Sequence, residues 1–234
     1  MTQPHPIALL QTQSLATLVQ AEIEKLILEG HIAAGDKLTE STLAEQLGVS
    51  RGPVREAFRM LEEAGLVRTE KNRGVFVRRI PLEEALEIFE LRAVLEQHVG
   101  TKVAQVATAA QVRALKALLK PMAQAAKQGD ASSYHRHNLA FHDALLEMAG
   151  NHKLTATYQR LVKELTLFRR QNLTPETMVQ YTQEHQHIVQ CIAARDAAAA
   201  GQALYAHVMG SRERTAANAQ ALASPDKAGG LPVL

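Results

Sequence analysis

Tryptophan is absent from the 234-residue chain, and aromatic residues amount to only 4%. That counts against modules that bind nucleic acid by stacking bases on aromatic platforms. Cysteine occurs once, at Cys191, so no disulfide can close within the chain; a lone thiol fits a reducing cytosol. No apolar run approaches the roughly 18 residues of a membrane span. The first 20 residues hold no Lys or Arg, so the basic start of a secretory signal is missing. The expectation is a cytoplasmic protein that does not engage a membrane. Net charge is only +2, which by itself argues for no particular partner.

What is present is a globular composition, 46% hydrophobic and 21% charged, over a length that suits one large domain or two ordinary ones. Charge is local rather than global. Between Arg51 and Arg79 stand eight Lys/Arg against four Glu, an excess of four positive charges and a candidate phosphate-facing surface.

Helical spacing predicts a first helix capped by Ser14, with Leu15, Leu18, Val19, Ile23, Leu26 and Ile27 on its inner face and Gly30 at its end. A turn at Gly35-Asp36 follows. A short helix then opens at Thr39 or Ser41 and stops at Gly48. Ser50 is positioned to cap the next helix, with Pro53 in its first turn, where a missing N–H costs nothing. Val54, Ala57, Phe58 and Leu61 form that helix's buried stripe. Leu66–Thr69 and Val75–Arg79 read as short strands around a hairpin tip at Lys71–Gly74. This order predicts a winged helix-turn-helix. Beyond Pro81 no strand pattern is found. Six helices are expected at roughly 82–106, 109–128, 131–149, 151–171, 175–193 and 195–219, with short connections that imply an antiparallel bundle. The fold class expected is mainly α. Its parts are an N-terminal arm (1–13), a winged helix-turn-helix (14–80), a six-helix domain (81–219) and a flexible tail (220–234).

Arg51, Arg55 and Arg59 fall one turn apart, opposite the Val54/Phe58/Leu61 stripe. A helix with a packed back and an arginine front can lie in a major groove, where arginine forks onto guanine. Alternatively, Arg59 belongs to a solvated face paired with Glu62 or Glu63. The run KLTESTLAEQLGVSRGPVREAFRMLEEAGLVRTEKNRGVFV (Lys37–Val77) resembles the DNA-binding domain of the GntR family, closest in LAEQLGVSRGPVREA. The segments Leu91–Glu96, Phe141–Asn151, Glu184–Asp196 and His207 resemble the all-helical FCD effector domain of its FadR subfamily, in the shorter VanR-like branch. The resemblance spans roughly residues 14–215. It implies a homodimeric transcription regulator, a repressor of double-stranded operator DNA and not an enzyme. Its operator contacts would fall on Ser50, Arg51, Gly52 and Arg55, with Arg73 and Gly74 at the wing. Ser41 stands where some relatives carry arginine; serine can donate to a phosphate but cannot fork onto guanine.

The same resemblance implies a divalent metal site of one Asp and three His. Here those positions read Asn138, His142, His185 and His207. A carboxamide is a neutral and weaker ligand than a carboxylate. Three imidazoles still suit Zn²⁺ or Ni²⁺, with Mn²⁺ a further candidate, and such a site would favour an added anionic ligand. The alternative is a hydrogen-bonded polar pocket without metal. Arg92 would lie near the pocket and bind the carboxylate of a small-acid effector, or else pair with Glu96 one turn on.

Overall fold

Ser14 accepts the Thr17 backbone N–H at 3.2 Å and opens α1 (Leu15–Glu29), which Gly30 ends in a left-handed turn, φ 80°. The computed structural model describes residues 14–168 and 174–223. The expected arm at 1–13, positions 169–171 of the fourth expected bundle helix, and the tail beyond 223 lie outside the described residues. Helix α1 buries Ala16, Val19, Ile23 and Ile27. Leu15 and Leu18 depart from the expected stripe, being 50% and 52% exposed. At about 100° per residue, the Ala16–Ile27 row turns Leu18 away from the core and leaves Leu15 on its flank.

Thr39 takes the N-cap position of α2 (Glu40–Leu47), and Ser50 that of α3 (Arg51–Glu63); neither side chain makes a capping bond. Val54, Ala57, Phe58 and Leu61 are the buried face of α3, as the spacing predicts. The expected hairpin is β2 (Val67–Glu70) with β3 (Gly74–Val77), antiparallel, Val67 opposite Val77 and Glu70 opposite Gly74. Its tip passes through Asn72 at φ 63°. A strand missed in the sequence, β1 (Lys37–Leu38), adds to the other side of β3, giving the order β1-β3-β2. Two residues are too few to show an alternation. Ile23, Leu43, Val54, Phe58, Leu61 and Val77 meet in the core under this sheet.

Six helices follow: α4 (Leu82–Val106), α5 (Ala109–Gln128), α6 (Ala131–Ala149), α7 (His152–Phe168), α8 (Pro175–Ala193) and α9 (Ala197–Ala223). Side chains of Thr108, Asp130 and Thr174 cap three of them, and Gly129 and Gly150 end two in left-handed turns. Helix α9 runs on to Ala223, past the expected start of the tail. The chain divides into two compact units. One holds the described residues through Pro81 together with the end of α7 from Val162; the other holds the remaining helical residues. Within the first unit Lys163 pairs with Glu24 at 2.6 Å and Arg78 with Glu164 at 3.2 Å. A boundary drawn along the sequence at Pro81 does not reveal this return of the chain. Among the described residues no helix is long and apolar enough to cross a membrane.

Helices α4 and α9 meet at glycine. A Cβ on Gly100 would stand 2.6 Å from the Ala200 carbonyl oxygen, and one on Gly201 would stand 2.9 Å from that of Gln97. The backbones therefore approach as only glycine permits. This contact places the inner face of α9, Leu204, His207 and Ser211, in the interior with Arg92 and Glu96 of α4, all of them buried. Helix propensity alone favours alanine over glycine by about 0.5–1 kcal/mol. The clash reverses the sign: Gly100→Ala is expected to destabilise by about 1–3 kcal/mol, read as a lower midpoint in urea or thermal unfolding.

Candidate functional site

The first unit presents every residue assigned to DNA contact on its surface. Ser41, Ser50, Arg51, Gly52, Arg55, Arg73 and Gly74 are all exposed. Helix α3 rotates Arg51, Arg55 and Arg59 outward because Val54, Ala57, Phe58 and Leu61 face the core. A Cβ on Gly52 would meet nothing within 4 Å. The protein's own packing therefore does not need a glycine there, whereas a close-lying phosphate backbone would. Glu62 accepts the Thr69 N–H and hydroxyl, at 2.7 and 2.9 Å. Among the described residues no ion pair joins Arg59 to Glu62 or Glu63, and Arg59 stands exposed. At the wing tip Gly74 has φ 109°, and Arg73 pairs with Glu70 while lying over the Phe76 ring at 5.6 Å.

One contact on this face was missed in the sequence. Arg55 donates two hydrogen bonds to Glu40, Nε to Oε1 at 2.9 Å and Nη2 to Oε2 at 2.8 Å. The bond to Arg55 holds the Glu40 carboxyl below its ordinary range, with Arg51 adding to the effect. The fork ties the start of α2 to α3 and orients a guanidinium that stays 60% exposed. The sequence signal was a lone acid opening the helix before the basic one.

In the second unit three imidazoles from three helices meet. His142 of α6, His185 of α8 and His207 of α9 are buried, and their donor nitrogens lie within 4.8 Å of one another. Nε2 of His142 and Nε2 of His185 stand 3.3 Å apart. Each Nδ1 points elsewhere. That of His185 donates to the Tyr181 carbonyl at 2.6 Å. That of His207 donates to Glu184 at 2.7 Å. That of His142 lies 2.9 Å from Oε2 of Glu96, an ion-pair contact set off the line of a full hydrogen bond, so that oxygen has no in-line donor. With Nδ1 protonated, each Nε2 would carry a lone pair, and one ligating atom of each ring lies within 4.8 Å of those of the other two.

Two matching arms support this cluster. Glu96 is held by Arg92 at 2.7 Å, and Arg92 also donates to the Tyr158 hydroxyl at 2.9 Å and stacks over that ring. Glu184 is held by Arg214 at 3.1 and 3.3 Å, and Arg214 stacks over Tyr181 at 4.3 Å. Burial opposes the charge on both carboxylates, but their partners outweigh it. His142 and Arg92 hold Glu96 well below the usual carboxylate range; His207 and Arg214 lower Glu184 as well. The two glutamates and two arginines cancel in formal charge. The residues that sequence reasoning missed are thus Glu184, Arg214, Tyr158 and Tyr181. Arg92 is paired with Glu96, one of its two expected roles, and keeps a buried Nε–H without a partner. Asn138 is half-buried one turn before His142 and makes no hydrogen bond among the described residues.

This donor set fits a divalent metal. Tetrahedral nitrogen ligands at about 2.0–2.1 Å from zinc stand about 3.3 Å from each other, the spacing of the His142–His185 pair. Two bare lone pairs at that distance repel, so a cation or a proton belongs between them. Burial, and then the neighbouring His207 and His142, lower the His185 pKa well below 6.5. Burial lowers that of His207 as well. Ligation requires these neutral forms. Beside His207, a cavity of about 360 Å³ is lined by Glu184, His187, Gln202 and Ala203 among others.

A winged helix with arginine on its exposed helix face, joined in one chain to a helical unit with a buried polar centre, defines a DNA-binding transcription regulator. Residues 15–77 match the bacterial regulatory proteins of the gntR family, and residues 87–210 match the FCD domain. The chain is 27% identical over 188 residues to the uncharacterized HTH-type transcriptional regulator YdhC of Bacillus subtilis, covering 80% of this chain and 84% of that protein. It is 27% identical over 195 residues to a probable D-xylose utilization operon transcriptional repressor of Paenarthrobacter nicotinovorans, covering 83% and 86%. The crystal structure of a putative GntR regulator from Rhodococcus sp. RHA1 superposes with TM-score 0.73 at 26% identity, over 88% of this chain and 99% of that one. The chain belongs to the GntR family of transcriptional regulators, in its FadR-like subfamily with an FCD domain; these are regulators, not enzymes.

The lowered histidine pKa values carry a sign. Folded His185 and His207 bind protons more weakly than the unfolded chain, whose histidines titrate near 6.5. As pH falls through that value the unfolded state gains protons first, so stability present above it is lost below. Metal-free protein is therefore expected to melt at lower temperature near about pH 5.5 than near about pH 8, and His185→Asn is expected to flatten that slope.

Proposed function

We propose that this protein is an operator-binding repressor, cytoplasmic and homodimeric, whose DNA affinity is set by a small organic acid bound at a metal-holding centre in its helical unit. The observation that carries this reading is the meeting of His142, His185 and His207, from three helices, inside a chain that also displays an arginine-faced recognition helix. His142, His185 and His207 would hold Zn²⁺, Ni²⁺ or Mn²⁺, with Asn138 as a weak fourth ligand or a hydrogen-bonding neighbour. A divalent ion bound there supplies positive charge and an open position for an anionic ligand. Because the surrounding Glu and Arg charges cancel, that charge is left to an effector carboxylate to balance. Arg92 offers its unpartnered Nε–H to the same carboxylate.

On DNA, Arg51 and Arg55 read base edges, with Glu40 holding Arg55 in orientation. Ser41, Ser50 and the open N–H groups at the start of α3 meet phosphate, Gly52 lets the backbone approach, and Arg73 and Gly74 reach from the wing.

Arg51→Ala is expected to weaken a cognate operator by about 1–3 kcal/mol, measured by mobility shift; unchanged affinity would remove Arg51 from the interface. Effector and operator should alter each other's affinity by one common factor, worth about 1–3 kcal/mol. Two independent affinities in calorimetry would contradict the regulatory reading. Untagged protein should carry one divalent ion per chain and melt lower in chelator. No ion, together with no stabilisation by added Zn²⁺, Ni²⁺ or Mn²⁺, would leave a metal-free polar pocket.

A further inference from the structure

Asn138 stands one turn before His142 and supplies no negative charge to the cluster. Two carboxylates nonetheless lie directly behind the cluster's imidazoles. Glu96 faces Nδ1 of His142 at 2.9 Å, and Glu184 accepts Nδ1–H of His207 at 2.7 Å. Each is clamped by an arginine from its own unit, Arg92 at 2.7 Å and Arg214 at 3.1 Å. The Glu96 side chain is only 3% exposed and keeps an oxygen without an in-line donor. Burying a carboxylate so incompletely satisfied is costly.

We propose that Glu96 and Glu184 are positioning residues that replace the missing carboxylate ligand, holding His142 and His207 with Nε2 bare and strongly donating, and so setting the affinity for divalent metal. A neutral imidazole carries its proton on either nitrogen. Without an acceptor at Nδ1, the proton can sit on Nε2 and block ligation. A carboxylate acceptor removes that choice, fixes the ring plane and raises the basicity of the other nitrogen. Arg92 and Arg214, stacked on Tyr158 and Tyr181, fix the carboxylates in turn. The inference rests on the metal-centre reading above.

The test is titration of metal-free full-length protein with Zn²⁺ against a chromophoric chelator, with Co²⁺ absorption as a second readout. Glu184→Gln is expected to weaken Zn²⁺ by about 10–100-fold while keeping one ion per chain. Glu96→Gln alone strands buried Arg92 and can fail to fold. The paired variant Arg92→Met/Glu96→Gln removes both charges and is expected to show a loss of the same order. Adding Asn138→Asp to the Glu184→Gln variant should restore affinity by supplying a direct carboxylate. Wild-type binding that neither variant weakens would overturn the inference and leave the metal centre standing. A loss that Asn138→Asp does not restore, accompanied by a lower melting temperature of the metal-free protein, would reduce the two glutamates to structural support. Wild-type protein that binds no Zn²⁺ or Co²⁺ would overturn the metal reading itself.

Discussion

Three imidazoles packed side by side in a buried space each need a partner for the outward ring nitrogen, and in the helical unit this requirement shapes much of the interior. Each Nδ1 needs an acceptor on its outer side, provided by Glu96, the Tyr181 carbonyl and Glu184. The two acids in turn need cations, which are Arg92 and Arg214. The cations lie on the faces of Tyr158 and Tyr181. Residues of α4, α6, α7, α8 and α9 are thereby committed to one centre. Buried ion pairs of this kind are weak evidence for stability, since desolvation offsets their attraction. Their evident effect here is to fix the outward ring nitrogens of His142 and His207, and so the way these two rings lie in the cluster.

The cluster also depends on backbone distance. His207 reaches the cluster because α9 lies against α4 at Gly100 and Gly201, where a Cβ on either would meet the opposite backbone. A wider helix pair would withdraw His207 and Arg214 from the other residues of the centre. Glycine inside a helix costs local stability, so here a local cost is offset by a tertiary contact.

The winged-helix unit follows a simpler logic. A packed back on α3 leaves arginine no direction but outward, and the Glu40 fork limits where Arg55 can go. A guanidinium held by a carboxylate in this way loses less freedom when it docks against a base edge than one free in solvent.

Periodicity and punctuation determined much from the sequence alone. The helix-turn-helix, the β2–β3 hairpin, the six following helices and their breaks at Thr108, Gly129 and Gly150 were all legible, because apolar spacing and capping chemistry are local signals. The histidines were legible only through family resemblance, since His142, His185 and His207 lie far apart in the chain. Leu15 and Leu18 misled because a helical stripe has a width that spacing alone does not define. Strand β1 was too short to carry a period. What only the tertiary structure decided is who meets whom. Arg55 met Glu40, Arg92 met both Glu96 and Tyr158, and Glu184 was placed between His207 and Arg214. Those contacts depend on how helices lie against one another, which no single helix's sequence encodes.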